Sequence, residues 1–354
     1  MTAIAGEFPA DQLLRLIPSA SYAEKIITGL KKDKLLRIHY RDKLRGYRLT
    51  KKSKMLLLDE NDSRYSFYLT GNTETNQIRT EAPRRIRLHL KAESYVTFYH
   101  AGIPIFPDAK PAIFTAASPK LPLDLKRMPL FYTCREIKAL GDDTTKIKNS
   151  RNVGILLTPT CIYVIYNTGT SLLKWEYRTE IRVNAFLQHY FNGYGYSGCP
   201  QIRAIMLGRD MDTALKLLTS TGGYKKSLFM LDTAFEHFHY IPNTPEGELL
   251  LKTLCSPLLT KKLNHLLSSD LLPKSSLAIE HDAMTPEGEA VLFAYDFDMQ
   301  RINKFNAAAQ LFGHKGMLVA FDFQIPVLKD YLGTHIRYSV IDFQKFKRGF
   351  FHES

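Results

Sequence analysis

Six prolines, Pro104, Pro107, Pro111, Pro119, Pro122 and Pro129, crowd residues 101–129. Each lacks a backbone N–H and clashes with the carbonyl four residues earlier, so no helix runs through that density. A chain of 354 residues is also too long for one compact core. The stretch therefore reads as a connector leading into a second domain. The chain divides into residues 1–60, a linking segment over 61–129, and residues 130–354.

The first of these parts has a legible order. Residues 10–17 predict a short amphipathic helix, and Pro18-Ser19-Ala20 a turn with a capping residue. Residues 21–34 predict a second helix, with Tyr22, Ile26 and Leu30 four apart on one face and Ala23 and Ile27 beside them. That face should pack inward, leaving Ser21, Glu24, Lys25, Thr28, Lys31 and Lys32 outside. Residues 35–40 alternate like a strand, 41–46 form a polar turn and 47–49 return as the second strand. A helix over 50–58 follows with Thr50 as its cap. Two helices, a turn and a hairpin in this order read as a winged helix-turn-helix, a small fold whose usual work is to hold DNA. A helix is expected ahead of residue 9, and residues 1–7 imply either a short one or a truncated chain start.

Charge agrees with a DNA-facing surface. Residues 1–58 hold thirteen lysines and arginines against five acids, a surplus of eight within a chain total of +13. Base-edge contacts fall to Ser21, Lys25 and Thr28, with Lys31 and Lys32 on the same helix. Phosphate contacts fall to Arg41, Lys43, Arg45 and Arg48 on the hairpin, with Lys51 and Lys52 nearby. The competing reading is a winged helix that binds a protein while its basic face is merely solvated. A basic patch centred on this fold favours DNA. Residues 59–80 read as a polar linker with an aromatic patch at 65–68, and residues 83–100 as a helix with Pro83 in its first position. Arg84, Arg85 and Arg87 crowd the start of that helix. Cations there oppose the helix dipole, so they call for an outside anion such as phosphate, or else form a solvated face.

No 18-residue apolar run exists, so no membrane span is expected. Residues 1–7 lack the basic start and apolar core of a signal peptide. Cys134, Cys161, Cys199 and Cys255 are far apart without CxxC spacing, and read as reduced thiols of a cytoplasmic protein.

From residue 130 the texture is mixed α/β. Strands are expected over 131–140, 151–158, 161–167, 202–207, 227–231, 277–280, 291–296, 317–323 and 336–343. Helices are expected over 172–191, 210–220, 246–267, 298–312 and 325–332, with no internal repeat. The strand–strand–strand–helix order over 130–191 resembles the core of restriction-type nucleases, which hold a metal with carboxylates on neighbouring strands. Asn152 and Asn167 stand at those places, and neutral amides neither bind Mg²⁺ well nor act as a base. Glu176 and Glu180 on the next helix are the candidates for a migrated acid. His237-Phe238-His239 has the His–apolar–His form of nicking enzymes, with the two rings on one strand face and Tyr295 or Tyr331 as nucleophile. Two polar surface histidines are the plainer reading. Residues 193–198 match GxGxxG, but a helix precedes them and a strand follows, so they read as a loop. There is no GxxxxGK[ST] loop. No catalytic residue, metal ligand or cofactor is assigned.

Several segments carry a wider likeness: Gly46-Tyr-Arg-Leu-Thr-Lys-Lys-Ser-Lys-Met-Leu-Leu57, Arg84-Arg-Ile-Arg-Leu-His-Leu-Lys-Ala-Glu93, Arg151-Asn-Val-Gly-Ile-Leu and Tyr166-Asn-Thr-Gly-Thr170. Together they resemble the replication-relaxation family of conjugative plasmids and integrative elements, which couples a winged helix to a nuclease-like domain. That pattern has an Asp at Asn152 and an acid at Asn167. The resemblance therefore implies a degenerate restriction-nuclease core. The expected fold is thus α+β to α/β, a winged helix-turn-helix followed by that core. The expected function is a DNA-binding accessory protein for replication or transfer of a mobile genetic element. Its expected partners are double-stranded DNA, other replication or conjugation proteins and a second copy of itself as a homodimer. The alternatives are a metal-dependent nuclease or nicking enzyme, and a plasmid replication initiator or transcription regulator. Initiators often carry two winged helices, and one is legible here.

Overall fold

The computed structural model describes residues 1–77, 80–114, 124, 128–140, 150–192, 200–223, 227–277 and 279–351. The protein is mixed α/β and forms two compact units, Met1–Ala112 and Ile113–Ser354.

The first unit opens with α1 (Thr2–Ala5), the short strand β1 (Phe8–Pro9) and α2 (Leu13–Leu16). Ser19 caps α3 (Ala20–Lys32) by accepting from the Tyr22 backbone N–H. Strands β2 (Leu36–Arg41) and β3 (Leu44–Leu49) pair antiparallel, from Leu36 opposite Leu49 to Arg41 opposite Leu44. Their two-residue turn, Asp42-Lys43, has φ of 55° and 60°. Two left-handed residues match the twist of a tight hairpin, and here they are adopted without the usual glycine. β1 adds to β3, giving the order β1-β3-β2. α4 (Lys51–Glu60) is capped by Thr50 in a reciprocal box with Ser53.

Three expectations change in this unit. Residues 59–80 contain α5 (Asp62–Leu69), which buries Tyr68 and Leu69, the latter with Ala3 and Leu49, so the stretch is part of the core. α6 (Ala82–His100) is buried along much of its length, through Leu88, Ala92, Tyr95, Val96 and Phe98. The unit therefore continues to residue 112, where a 60-residue module and a linker were expected. On α3, Ala23 is buried and Ile26, Ile27 and Leu30 are half-buried, but Tyr22 is 59% exposed. The inward face centres on Ala23 and Leu30, and Tyr22 lies about 100° of helix rotation away from Ala23.

The second unit holds two five-stranded sheets of the same design. The first sheet runs β4 (Leu130–Thr133), β5 (Gly154–Leu157), β6 (Cys161–Gly169), β7 (Gln201–Gly208) and β8 (Phe238–Pro242), in chain order. β4, β5 and β6 pair antiparallel; β6, β7 and β8 pair parallel. α7 (Cys134–Lys138) follows β4, α8 (Tyr177–Phe191) joins β6 to β7, and α9 (Met211–Leu218) joins β7 to β8. α10 (Pro245–Leu254) and α11 (Pro257–Leu267) follow. The second sheet runs β9 (Leu272–Pro273), β10 (Ala283–Met284), β11 (Ala290–Phe293), β12 (Gly316–Phe321) and β13 (Ile336–Ile341). Its first three strands are antiparallel and its last three parallel, joined by α12 (Met299–Phe312) and α13 (Ile325–Tyr331) and closed by α14 (Phe343–Phe350). A topology without a sequence repeat is thus used twice. The corresponding helices α9 and α13 pack on each other, and one apolar cluster contains side chains of both sheets. β5 and β6 are buried at every position because both faces of the sheet are covered.

Several expected elements shift for local reasons. The strand over 131–140 stops at Thr133, which caps α7 in a box with Glu136. The helix over 172–191 begins at Tyr177, because Lys174 makes a β-bridge with Leu228. That bridge is all the strand character residues 227–231 have. Pro257 ends one helix and starts another where a single helix over 246–267 was expected. Residues 277–280 are not a strand among the described residues, and β10 forms three residues later. The last strand stops at Ile341, since Asp342 caps α14.

Candidate nucleic-acid interface

On α3 the side chains of Ser21, Lys25, Thr28, Lys31 and Lys32 are exposed, as are Arg41, Lys43 and Arg45 on the hairpin and Lys51 and Lys52 on α4. The structure ties these elements together. Thr50 Oγ1 donates to the Lys34 carbonyl (2.7 Å) and Lys52 Nζ to the Asp33 carbonyl (3.2 Å), so the end of α3 meets the start of α4. A cleft of about 500 Å³ is lined by Arg37, Leu49, Thr50, Lys51, Lys54 and Asn76. Arg37 and Lys54 were missed from the sequence, where Arg37 is one more charge on a strand and Lys54 one more on a helix. Lys54 Nζ donates to the Thr75 carbonyl (2.7 Å) and Asn76 Oδ1 (2.9 Å), and burial together with the nearby Arg37 charge holds its pKa below the ordinary lysine value.

Arg48 and Arg85 require correction. Both are buried, 3% and 0% exposed, and neither offers a guanidinium to an outside phosphate. Their anion is Glu7, itself fully buried. Glu7 Oε2 accepts from Arg48 Nε (2.7 Å), and Glu7 Oε1 accepts from Arg85 Nη2 (2.6 Å) and lies 2.8 Å from His89 Nε2. Burial alone would raise the Glu7 pKa, but hydrogen bonds from His89, Arg85 and Arg48 outweigh it and lower it to about 2. Arg85 also donates to the carbonyls of Arg41 (2.7 Å), Leu44 (3.0 Å) and His39 (3.3 Å). One arginine of α6 thus fastens the hairpin by its backbone. Gly46 is required beside it: a Cβ there would lie 2.3 Å from Glu7 Oε1. Arg84 remains on the surface in an exposed pair with Glu81.

In the second unit, the positions of the nuclease reading do not converge. Asn152 Nδ2 donates to Ser150 Oγ (2.8 Å), Ser150 Oγ donates to Glu180 Oε2 (3.1 Å), and Tyr166 Oη donates to the same oxygen. Asn167 Oδ1 instead accepts from Gly169 N, and Glu176 pairs with Thr179. Among the described residues no group of three or more His, Cys, Asp and Glu is arranged to hold a metal ion. Burial pushes the Glu180 pKa up from 4.5 to about 7, although the Tyr166 and Ser150 hydrogen bonds act the other way. A carboxyl whose folded pKa is raised contributes most below pH 4.5, and that contribution fades as pH rises through 7. Glu180→Gln should therefore match the parent's thermal midpoint at pH 4 and exceed it at pH 8, as scanning calorimetry across pH will read.

His237 and His239 are not surface histidines: His239 is 1% exposed, and the His237 side chain 19%. Their rings lie on one side of the strand, as alternate residues must, with centroids 6.4 Å apart. Each is engaged by the turn before α12. His237 Nδ1 lies 2.6 Å from Asp298 Oδ2, and His239 Nδ1 lies 3.2 Å from the Asp296 carbonyl. The Tyr295 hydroxyl donates to Asn264 Oδ1 (2.6 Å) and that of Tyr331 to Asn303 Oδ1 (2.6 Å). The histidines thus join the two sheets. The GxGxxG loop at 193–198 lies outside the described residues. No helix among the described residues is long and apolar enough to cross a membrane. Compared with known protein families, curated proteins and solved structures, the chain matches none of them.

Proposed function

We propose that the first unit binds duplex DNA as a winged helix-turn-helix, with α3 in the major groove and the β2–β3 hairpin on the backbone. The observation that carries this reading is the set of exposed cations Lys25, Lys31 and Lys32 on α3 with Arg41, Lys43 and Arg45 on the hairpin. The order of elements supports it: two short helices, a longer one and a tight hairpin, with a strand between the two short helices that completes the sheet. Lys51, Lys52 and Arg37 extend the charge toward the start of α4. Within this reading the protein is an accessory in replication or transfer of a mobile element, as its family resemblance implies. The second unit acts as a scaffold that does not cut, since Asn152 and Asn167 replace the acids a metal would need.

Fluorescence anisotropy with a labelled duplex across salt concentrations tests it. About six phosphate contacts predict a slope of log affinity against log salt near −5. Joint replacement of Lys25, Arg41 and Arg45 by Ala should weaken binding at least tenfold and make the slope shallower by about one for each phosphate no longer engaged. Unchanged affinity overturns the reading.

A further inference from the structure

The last helix of the second unit has a division of labour that the first unit does not explain. On α14, Phe343 and Phe346 are buried, while Lys345 and Arg348 are exposed on the opposite side. The aromatic face is anchored: the Phe346 ring lies 4.9 Å from that of Phe321 and 4.8 Å from that of Phe350. α11 reaches it through the Lys262 side chain, and neither α11 nor α14 contains an acidic residue. Lys262 Nζ of α11 sits 4.7 Å over the Phe350 ring, and Lys252 Nζ of α10 sits 5.3 Å over that of Phe351. An aromatic ring fixes a lysine in place without neutralising it, as a carboxylate would. Lys252, Lys262, Lys345 and Arg348 are all exposed. Among the described residues, the acids nearby include Glu246 and Glu248 in the first turn of α10, Asp342, whose carboxylate caps α14, and Asp322, whose Oδ2 accepts from the Phe343 backbone N–H (3.4 Å).

We infer that this surface, formed by α10, α11 and α14, is a second binding site for the phosphate backbone of a nucleic acid. It extends the DNA-binding reading of the first unit and rests on that reading for the choice of polyanion. A lipid surface fits less well. A membrane-binding amphipathic helix inserts its apolar face, and here Phe343 and Phe346 are spent on the core of the unit. Preorganised, unneutralised lysines suit a repeating line of phosphates, which rewards each cation through counterion release.

The full chain is titrated with a 30-base-pair duplex across salt, beside a variant carrying Lys252→Gln, Lys262→Gln, Lys345→Gln and Arg348→Gln. Affinity should fall at least tenfold, and the salt slope should become shallower by about one for each phosphate the variant can no longer neutralise. Arg at 252, 262 and 345 in place of Gln, with Arg348 kept, should restore both. An unchanged slope overturns the proposal. If the slope is unchanged while Lys25, Arg41 and Arg45→Ala still weakens binding, the first-unit reading survives alone. If only the Gln variant weakens binding, the surface stands and the first-unit reading falls. Because Leu258 of α11 is also exposed, vesicles of phosphatidylserine and phosphatidylcholine serve as the other arm. Binding to vesicles without binding to duplex overturns the proposal.

Discussion

Glu7→Ala should unfold the first unit more readily than any surface change. Removing this carboxylate leaves Arg48 and Arg85 buried with uncompensated charge. Breaking a buried pair this way costs about 3–5 kcal/mol, or roughly 15 °C of thermal midpoint for a unit of this size. The effect reaches the hairpin, because Arg85 is oriented by Glu7 while it donates to the carbonyls of His39, Arg41 and Leu44. On the proposed DNA-binding reading, affinity for a duplex should therefore fall with stability, although Glu7 lies away from the exposed cations. A depressed folded pKa makes the Glu7 contribution present above pH 4.5 and lost as pH falls toward 2. Denaturant melts at pH 7 and pH 3 should show the parent losing stability on acidification and Glu7→Ala losing much less. A variant within 1 kcal/mol of the parent at pH 7 would contradict this account.

Asp298→Ala should do the same to the second unit. Asp298 Oδ2 lies 2.6 Å from His237 Nδ1, while Oδ1 accepts from the backbone N–H groups of Phe238 (3.1 Å) and Gln300 (3.1 Å). It is at once the cap of α12 and the clasp between β8 and the second sheet. Losing the cap costs about 1 kcal/mol, and stranding the half-buried His237 donor and the buried Phe238 N–H raises the total to about 3–5 kcal/mol. The thermal midpoint should drop by roughly 10 °C. Asp298→Asn keeps an acceptor for the cap and should lose less. Burial raises the Asp298 pKa, but the His237 hydrogen bond and its neighbours win and hold it below the ordinary 3.8. Its contribution is thus present above that value and lost in stronger acid. Equal midpoints for the Ala variant and the parent would remove Asp298 from this role.

What could be read in advance follows from how local each cause is. The cap at Thr50, the hairpin after α3 and the antiparallel pair β5–β6 depend on neighbours within a few residues. Arg48 and Arg85 look like surface cations because their partner lies 41 and 78 residues away. α5 hides in a polar stretch because what holds it is Leu69 against Ala3 and Leu49. The doubled topology of the second unit leaves no periodic trace: β9 and β10 are two residues long, against four for β4 and β5. Of the candidate interface, the cations of α3 and the hairpin tip were legible, since exposure there follows from helix and strand periodicity. The aromatic seats of Lys252 and Lys262 were not, since they join three separate helices.

The clasp at β8 also bears on how the chain is made. On its outer side β8 is met by residues 297 and 298, where Tyr240 N donates to the Phe297 carbonyl and His239 bridges Asp298. A nascent chain that has reached only α11 displays this strand with its outer amides open, and an open, apolar strand edge is a template for pairing with another chain. Translation must proceed past residue 298 before the hazard closes, so slow elongation between residues 242 and 299 lengthens the time in which aggregation competes with folding.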